Sequence, residues 1–420
     1  REEKGCCNCN FAEVYMMDYF NQNSTRHWSW TIENFFVLSI GLYIASVFVF
    51  SYSTELNYIS QICFVLMAFC CLLYVIGPKK RIIIDQSICW FISILILSAL
   101  SIVWSFNKEY AIGKVITVLQ LVLMGIVIYL LVDNRFKIKM ILNTIILSGY
   151  FMYLYTFQQM GLSGIMNNFR DNIRLGTEIN QENAFGYYSV VIVALILYFA
   201  LYQKQKKYYF LLPIPIIMIA LTGSKKGLLL LMIVILFLIT FKQRSNLFGR
   251  GIFAIIILFI VFVLLYNFGF LEIVFGRLGQ ALSGNDMSTE MRQLYIEFGL
   301  EKFKGSPLWG YGIEHFCLLF GERYGSIESP HNNYIQIMTS FGIIGLILWY
   351  RAFWKFFKFG VRRFFSNELS PLLVLLVIIY LVNDITTTTL TNKFSYILVA
   401  LCFSMMSMIR KEADSINENE

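Results

Sequence analysis

The sequence predicts an all-α, polytopic membrane protein, and three observations carry that reading. The chain of 420 residues is 58% hydrophobic and 17% aromatic, with only 14% charged residues and a mean hydropathy of +0.65. Apolar stretches of about 20 residues, the length a bilayer core requires, follow one another from Ile32 to Ile409. The basic residues sit in short loops between those stretches. That is how topology determinants are distributed, so the formal charge of +8 does not point to nucleic acid.

Residues 1–31 are polar and hold no apolar core of a signal peptide; Met16-Met17 is the expected natural start, which makes 1–15 an extension. Twelve spans follow, at 32–52, 57–76, 82–104, 110–132, 138–160, 184–202, 208–222, 226–241, 250–270, 333–354, 371–386 and 393–409. Most of the 34 basic residues fall in loops after even-numbered spans or in the termini, including Lys79, Lys80 and Arg81 after the second. Both termini are therefore expected in the cytoplasm, with a tail at 410–420. Two long segments then face outward: 161–183, and a loop from 271 to 332 between spans 9 and 10. No linker or repeat marks a separate soluble domain or an inverted-repeat transporter. Five cysteines lie in spans as small core residues and no structural disulfide is expected. Cys6, Cys7 and Cys9 cluster without the second ligand pair of a zinc site.

The large loop holds the densest chemistry. Ser288 and Thr289 are candidate N-caps of a polar helix on which Arg292, Tyr295 and Gly299 share one face. Gly305-Ser306-Pro307-Leu308-Trp309-Gly310-Tyr311-Gly312 forces turns and permits close backbone approach. Ser329 is then the expected cap of the next span, with Pro330 in its first position and His331 in its first turn. There, with Asn332 and Asn333, the unpaired N–H groups of the helix start would receive an anion such as phosphate. Further outer-face cations run against the positive-inside bias: Arg170, Arg174, Lys225, Lys226, Arg277 and, counted with them, His331. Lys225 and Lys226 sit in the tight turn Thr222-Gly223-Ser224-Lys225-Lys226-Gly227 between two short spans. Outer acids include Asp171, Glu314, Glu328 and Asp384, but no Asp-x-Asp pair that would hold a divalent metal against a diphosphate. No metal or other cofactor is expected. The Gly342-Ile-Ile-Gly345 pair is read as a site of close helix packing.

Four pieces, in order, resemble the bacterial O-antigen ligase and polysaccharide polymerase (Wzy/WaaL) superfamily. They are Arg174-Leu-Gly with Asn180-Gln-Glu-Asn183-Ala184-Phe-Gly186; Thr222 to Gly227; Glu290-Met-Arg292 running to Pro307-Leu-Trp-Gly310-Tyr-Gly312; and Pro330-His-Asn-Asn-Tyr334-Ile-Gln336 with Phe341-Gly342-Ile-Ile-Gly345-Leu346. The resemblance implies a GT-C-like membrane architecture and a metal-independent inverting glycosyltransferase. It would act outside the cytoplasmic membrane on glycans carried by undecaprenyl diphosphate. It implies Arg292 and His331 as catalytic residues. Lys225, Lys226, Arg174, Arg277 and Asn332 are then candidates for holding the diphosphate, with Lys225 standing where the family has an arginine. Tyr334, Trp309, Tyr295 and Asn183 are candidates for the sugar. The expected activity is polymerisation of oligosaccharide repeat units into a capsule, exopolysaccharide or O-antigen, with a flippase and a chain-length regulator as partner candidates. A ligase of the same family is the near rival and a lipid-linked glycan flippase the distant one. The flippase is disfavoured because the spans carry almost no charge.

Overall fold

The computed structural model describes residues 32–50, 56–76, 84–171, 173–175, 182–267, 269–271, 274–276, 279 and 287–417. Fourteen α-helices lie among them: α1 (Ile32–Phe50), α2 (Asn57–Ile76), α3 (Gln86–Leu100), α4 (Lys108–Leu131), α5 (Arg135–Arg170), α6 (Glu182–Leu201), α7 (Pro213–Leu221), α8 (Lys225–Thr240), α9 (Leu247–Asn267), α10 (Met287–Gly305), α11 (Phe316–Tyr324), α12 (Asn333–Arg362), α13 (Leu369–Asp384) and α14 (Lys393–Asn417). Among the described residues there are no strands, and the protein is an all-α polytopic membrane protein. The start at Met16-Met17, the Cys6, Cys7 and Cys9 cluster, the loop with Lys79, Lys80 and Arg81, and Arg277 lie outside the described residues.

Each sequence-predicted span coincides with a helix. Seven of these helices are long and apolar enough to cross a bilayer, and Phe35–Phe50, Gln86–Leu100 and Leu369–Asp384 are shorter apolar helices. The stretch 208–222 differs most from expectation. It is a 3-10 turn, Lys206–Leu211, followed by the nine-residue α7, and nine residues span only about 14 Å at 1.5 Å per residue. Pro213 and Pro215 account for this, since neither can donate to a preceding helical turn. At its far end α14 runs into the segment predicted as a tail and is helical to Asn417.

Helices α6, α13 and α14 form the centre, with Tyr188, Tyr198, Phe199, Tyr380 and Tyr396 fully enclosed. By contrast α9 is almost wholly exposed and packs mainly against α8. The bundle has two chemically distinct ends. At one, Arg135 donates to Glu412 (Nη2 to Oε2, 2.9 Å), Gln203 donates to Glu368, and Lys137 pairs with Asp133 at 2.9 Å. The other end, where α4, α6, α8 and α12 begin and α13 finishes, carries the polar groups described next.

Two helices break. In α5 the break is at Gly161 (φ 66°), where the sequence places the end of a span, and residues 162–170 continue as a separate helical piece. In α12 it is at Gly342 (φ 64°, ψ −155°). A break at this depth leaves backbone groups unpaired, which a bilayer does not tolerate unless protein supplies partners. The partners come from the glycine-rich turn: Tyr311 N–H donates to Thr339 O at 2.8 Å, Gly312 N–H to Ser340 O at 3.0 Å, and Ile343 N–H to Pro307 O at 2.8 Å. Gly310 and Gly342 let the two backbones meet, because a Cβ on Gly310 would stand 2.5 Å from Ser340 C and one on Gly342 2.4 Å from Leu308 O. Gly342 thus serves the junction between loop and broken helix, rather than the helix-against-helix packing read from the Gly342–Gly345 spacing.

Candidate active site

Helix α10 is the outlying element of the site. It starts at Met287, so Ser288 and Thr289 lie inside its first turn rather than capping it. The face predicted to carry Arg292, Tyr295 and Gly299 turns toward α12. Tyr295 and Phe298 join Phe316, Leu319, Phe320 and Ile335 in a small apolar core, and the Tyr295 ring lies 6.2 Å from that of His331. Burial, with the nearby Glu328 carboxylate adding to it, pushes the Tyr295 phenol above its usual range. Gly299 allows α10 to approach, since a Cβ there would lie 2.2 Å from Ile335 Cγ2. We expect Gly299→Ala to destabilise this contact by roughly 1–3 kcal/mol of overpacking. Transferase activity should fall with it because Arg292 shifts, and Ile335→Ala should restore it in the double variant. Failure of the double variant to recover would separate Gly299 from the Ile335 contact.

The start of α12 is three residues later than expected. Asn332 is the cap, accepting from Ile335 N–H through Oδ1 at 3.1 Å, and His331 precedes the helix in a left-handed conformation, φ 46°. Pro330 is therefore not in the first turn. The left-handed bend is costly for a residue with a Cβ and is held by its surroundings. It sets His331 beside Tyr295 and at the positive end of α12. A second helix start lies close by. Ser224 caps α8 by accepting from Gly227 N–H at 3.1 Å, Lys225 follows it in the first helical position, and Lys226 reaches toward α13. Lys226 Nζ donates to Asn383 Oδ1 at 2.9 Å and Thr387 Oγ1 at 2.6 Å.

The charges of Arg292 and Lys226 both act on the His331 imidazole, and Arg292 also acts on Lys226. Three candidates from separate parts of the sequence are thus neighbours. Burial first, then Arg292 and more weakly Lys226, hold His331 below the usual imidazole range, against an opposing contribution from Glu328. His331 is consequently a neutral imidazole at neutral pH, not one more cation as the sequence count has it. A neutral ring can accept a proton or share a hydrogen bond with phosphate.

Beneath these groups lies a polar floor that the sequence reading missed. Asp384 is fully buried and accepts from Asn333 Nδ2 (3.0 Å), Tyr350 OH (2.8 Å) and Thr389 Oγ1 (2.8 Å), while Asn333 Oδ1 accepts from the N–H groups of Thr389 and Leu390. The loop Ile385–Asn392 is pinned again at Glu314, which takes a hydrogen bond from Thr391 and an ion pair from Lys114 at 2.5 Å. Asp384 and Glu314 stand out in the sequence as acids. The run Thr386-Thr387-Thr388-Thr389 between two apolar spans was the signal for the rest.

The other candidates have partners inside the protein. Arg174 donates through Nε to Thr222 O (2.8 Å) and through Nη2 to Asn183 Oδ1 (3.0 Å), with Glu182 at 3.5 Å, so it fastens the turn ahead of α8. Asn183 also lies 3.4 Å from Ser224 Oγ. Tyr334 stacks on Tyr350 at 4.8 Å and donates to Leu381 O at 3.1 Å. Trp309 is 50% exposed, with its ring 5.7 Å from Trp104. Arg170 is exposed, and Arg323 pairs at the surface with Glu301.

This arrangement offers two helix N-termini, a guanidinium, a lysine amine and a neutral imidazole at one membrane end. That chemistry suits a multiply charged anion such as a diphosphate. No match was found among curated proteins. The family described as Wzy_C, O-antigen ligase, matches residues 210–350, about a third of the chain, which takes in Lys225, Lys226, Arg292, the glycine-rich turn and His331. Its members are membrane glycosyltransferase-like enzymes of polysaccharide assembly. Residues 210–350 match the O-antigen ligase family, and that match supports the O-antigen ligase/Wzy superfamily for this chain.

Proposed function

We propose that the protein is an oligosaccharide repeat-unit polymerase, a metal-independent inverting glycosyltransferase using undecaprenyl-diphosphate-linked donors on the outer face of the cytoplasmic membrane. The observation that carries this reading is the meeting of Arg292, Lys226 and His331 at two helix starts. In the reaction the acceptor hydroxyl attacks the anomeric carbon from the face opposite the diphosphate. The new carbon–oxygen bond forms as the bond to phosphate breaks. Arg292 and Lys226 stabilise the charge growing on the departing diphosphate, the kind of electrostatic contribution that usually dominates such steps. His331, neutral and half-buried, takes the hydroxyl proton or passes it to the leaving phosphate. Both termini and the Arg135–Glu412 end lie in the cytoplasm, following the basic loops.

The test is the surface polysaccharide of a deletion strain complemented with wild type, Arg292→Ala or His331→Ala, with membrane insertion checked separately. Single repeat units from both variants support the polymerase. The description of the matching family favours one second reading, a ligase, which predicts long chains left on the lipid carrier. Full-length surface polymer from both variants would overturn the site.

The protonation of His331 supplies a further expectation. Activity needs the neutral ring, so it should persist below about pH 6.5, the ordinary imidazole value, and fall only as pH drops through the lowered value. In Arg292→Gln the neighbouring positive charge is gone and the His331 midpoint should rise. The check is histidine-labelled NMR, with His331→Gln assigning the signal among the three histidines. An unchanged midpoint would show that Arg292 does not govern the ring.

A further inference from the structure

At the end of the bundle opposite the candidate active site, a cavity of about 550 Å³ opens between α6, the α7 region, α8 and α9. Its walls are apolar along the helices, with Leu197, Ile216, Ile239 and Phe253 among them, and at one mouth stand Lys242, Gln243 and Arg250. Arg250 Nη1 donates to Gln243 O at 3.2 Å, which holds the guanidinium at that rim, and Lys242 is exposed beside it. Volumes of this order accommodate a ligand-sized apolar group. The rim is also strongly basic in sequence. Between Asn183 and Leu271 there is no acidic residue, while Lys204, Lys206, Lys207, Lys242, Arg244 and Arg250 all fall in the loops and first helical turns at this end. Glu368, at the same end of the bundle, accepts from Gln203 and pairs with Arg135.

We propose that this cavity is a binding site for an anionic glycerophospholipid, with one acyl chain between α6, α8 and α9 and the phosphate headgroup on Lys242 and Arg250. Basic residues at a membrane surface attract anionic headgroups in general. They also serve as topology signals. Neither role requires an apolar slot leading inward from the same two side chains, and that slot makes this corner a site. It lies against α9, which is otherwise almost wholly exposed. A chain filling the gap adds to the contacts α9 makes with α8 and, through Val261 and Leu265, with Ile216 and Ala220 of α7. The headgroup end is too far along α6 and α8 from Ser224 and His331 to be the donor diphosphate site.

The experiment uses the full chain purified in a neutral detergent, with thermal unfolding followed during titration with phosphatidylglycerol or phosphatidylcholine. Phosphatidylglycerol should raise the Tm saturably and phosphatidylcholine should not, since a ligand that binds the folded state stabilises it by mass action. The Lys242→Gln/Arg250→Gln variant should lose at least tenfold in apparent affinity, and Ile239→Trp, which fills the slot, should lose the shift as well. Lys204→Gln/Lys206→Gln removes the same charge beside the slot and should keep it. Equal shifts from both lipids, an unchanged Lys242→Gln/Arg250→Gln titration, or equal loss in both charge pairs would overturn the proposal. Preference for a polyprenyl phosphate over phosphatidylglycerol would overturn the assignment to a glycerophospholipid.

Discussion

Arg292→Ala is expected to lower glycosyl-transfer activity by about 10²–10³-fold, the usual cost of removing one donor aimed at developing charge. The apolar core beneath the residue should remain intact. Arg292 shares the inward face of α10 with Tyr295 and Gly299, but the packing is carried by Tyr295, Phe298 and their partners on α11 and α12. The variant should therefore insert and unfold like wild type while losing turnover. Arg292→Lys should recover only part of the loss, because an ammonium offers a point charge where a guanidinium offers a planar, bidentate fork. Rate assays with a synthetic lipid-linked repeat unit would measure both. Full activity in Arg292→Lys would mean that charge alone suffices; full activity in Arg292→Ala would remove Arg292 from the site.

The second large effect is structural. Gly342→Ala should prevent stable accumulation of the protein, at a cost above about 4 kcal/mol, in the range reserved for lost special backbone positions. Two causes act together. The conformation at φ 64°, ψ −155° is close to glycine-only, and the new methyl would stand 2.4 Å from Leu308 C and O, which are backbone and cannot rotate away. Gly113→Ala is the control. It lies within α4 with nothing within 4 Å of the added Cβ, so detergent-solubilised yield and Tm should match or slightly exceed wild type. Equal behaviour of the two variants would show that the break in α12 can be closed at little cost.

Much of the architecture was legible because apolar length is a strong signal in a membrane protein. The end of the membrane portion of α5 at Gly161 and the shared face of Arg292, Tyr295 and Gly299 follow from composition and from the 3.6-residue period. The start of α12 was misplaced because Ser329-Pro330 is a good local cap signal, while Asn332, just as good a cap, wins by leaving His331 against Tyr295. The break at Gly342 was hidden for a different reason. Its missing hydrogen bonds are made by residues about thirty positions earlier, and nothing near Gly342 in sequence announces them. The floor around Asp384 escaped because its work is done by threonine hydroxyls and asparagine amides, which carry no charge to attract notice. Lys114 lies inside an apolar helix, and its partner Glu314 is two hundred residues away in sequence.

The junction between the glycine-rich turn and α12 is made of main chain on both sides, with glycines only where the two backbones touch. Leu308 and Trp309 sit on that turn with 56% and 50% of their surface exposed, contributing nothing to the three bridging hydrogen bonds. The turn therefore behaves as a fixed mount with an interchangeable face. Side chains at 308 and 309 can be exchanged while the mount that holds them to the membrane helix stays fastened.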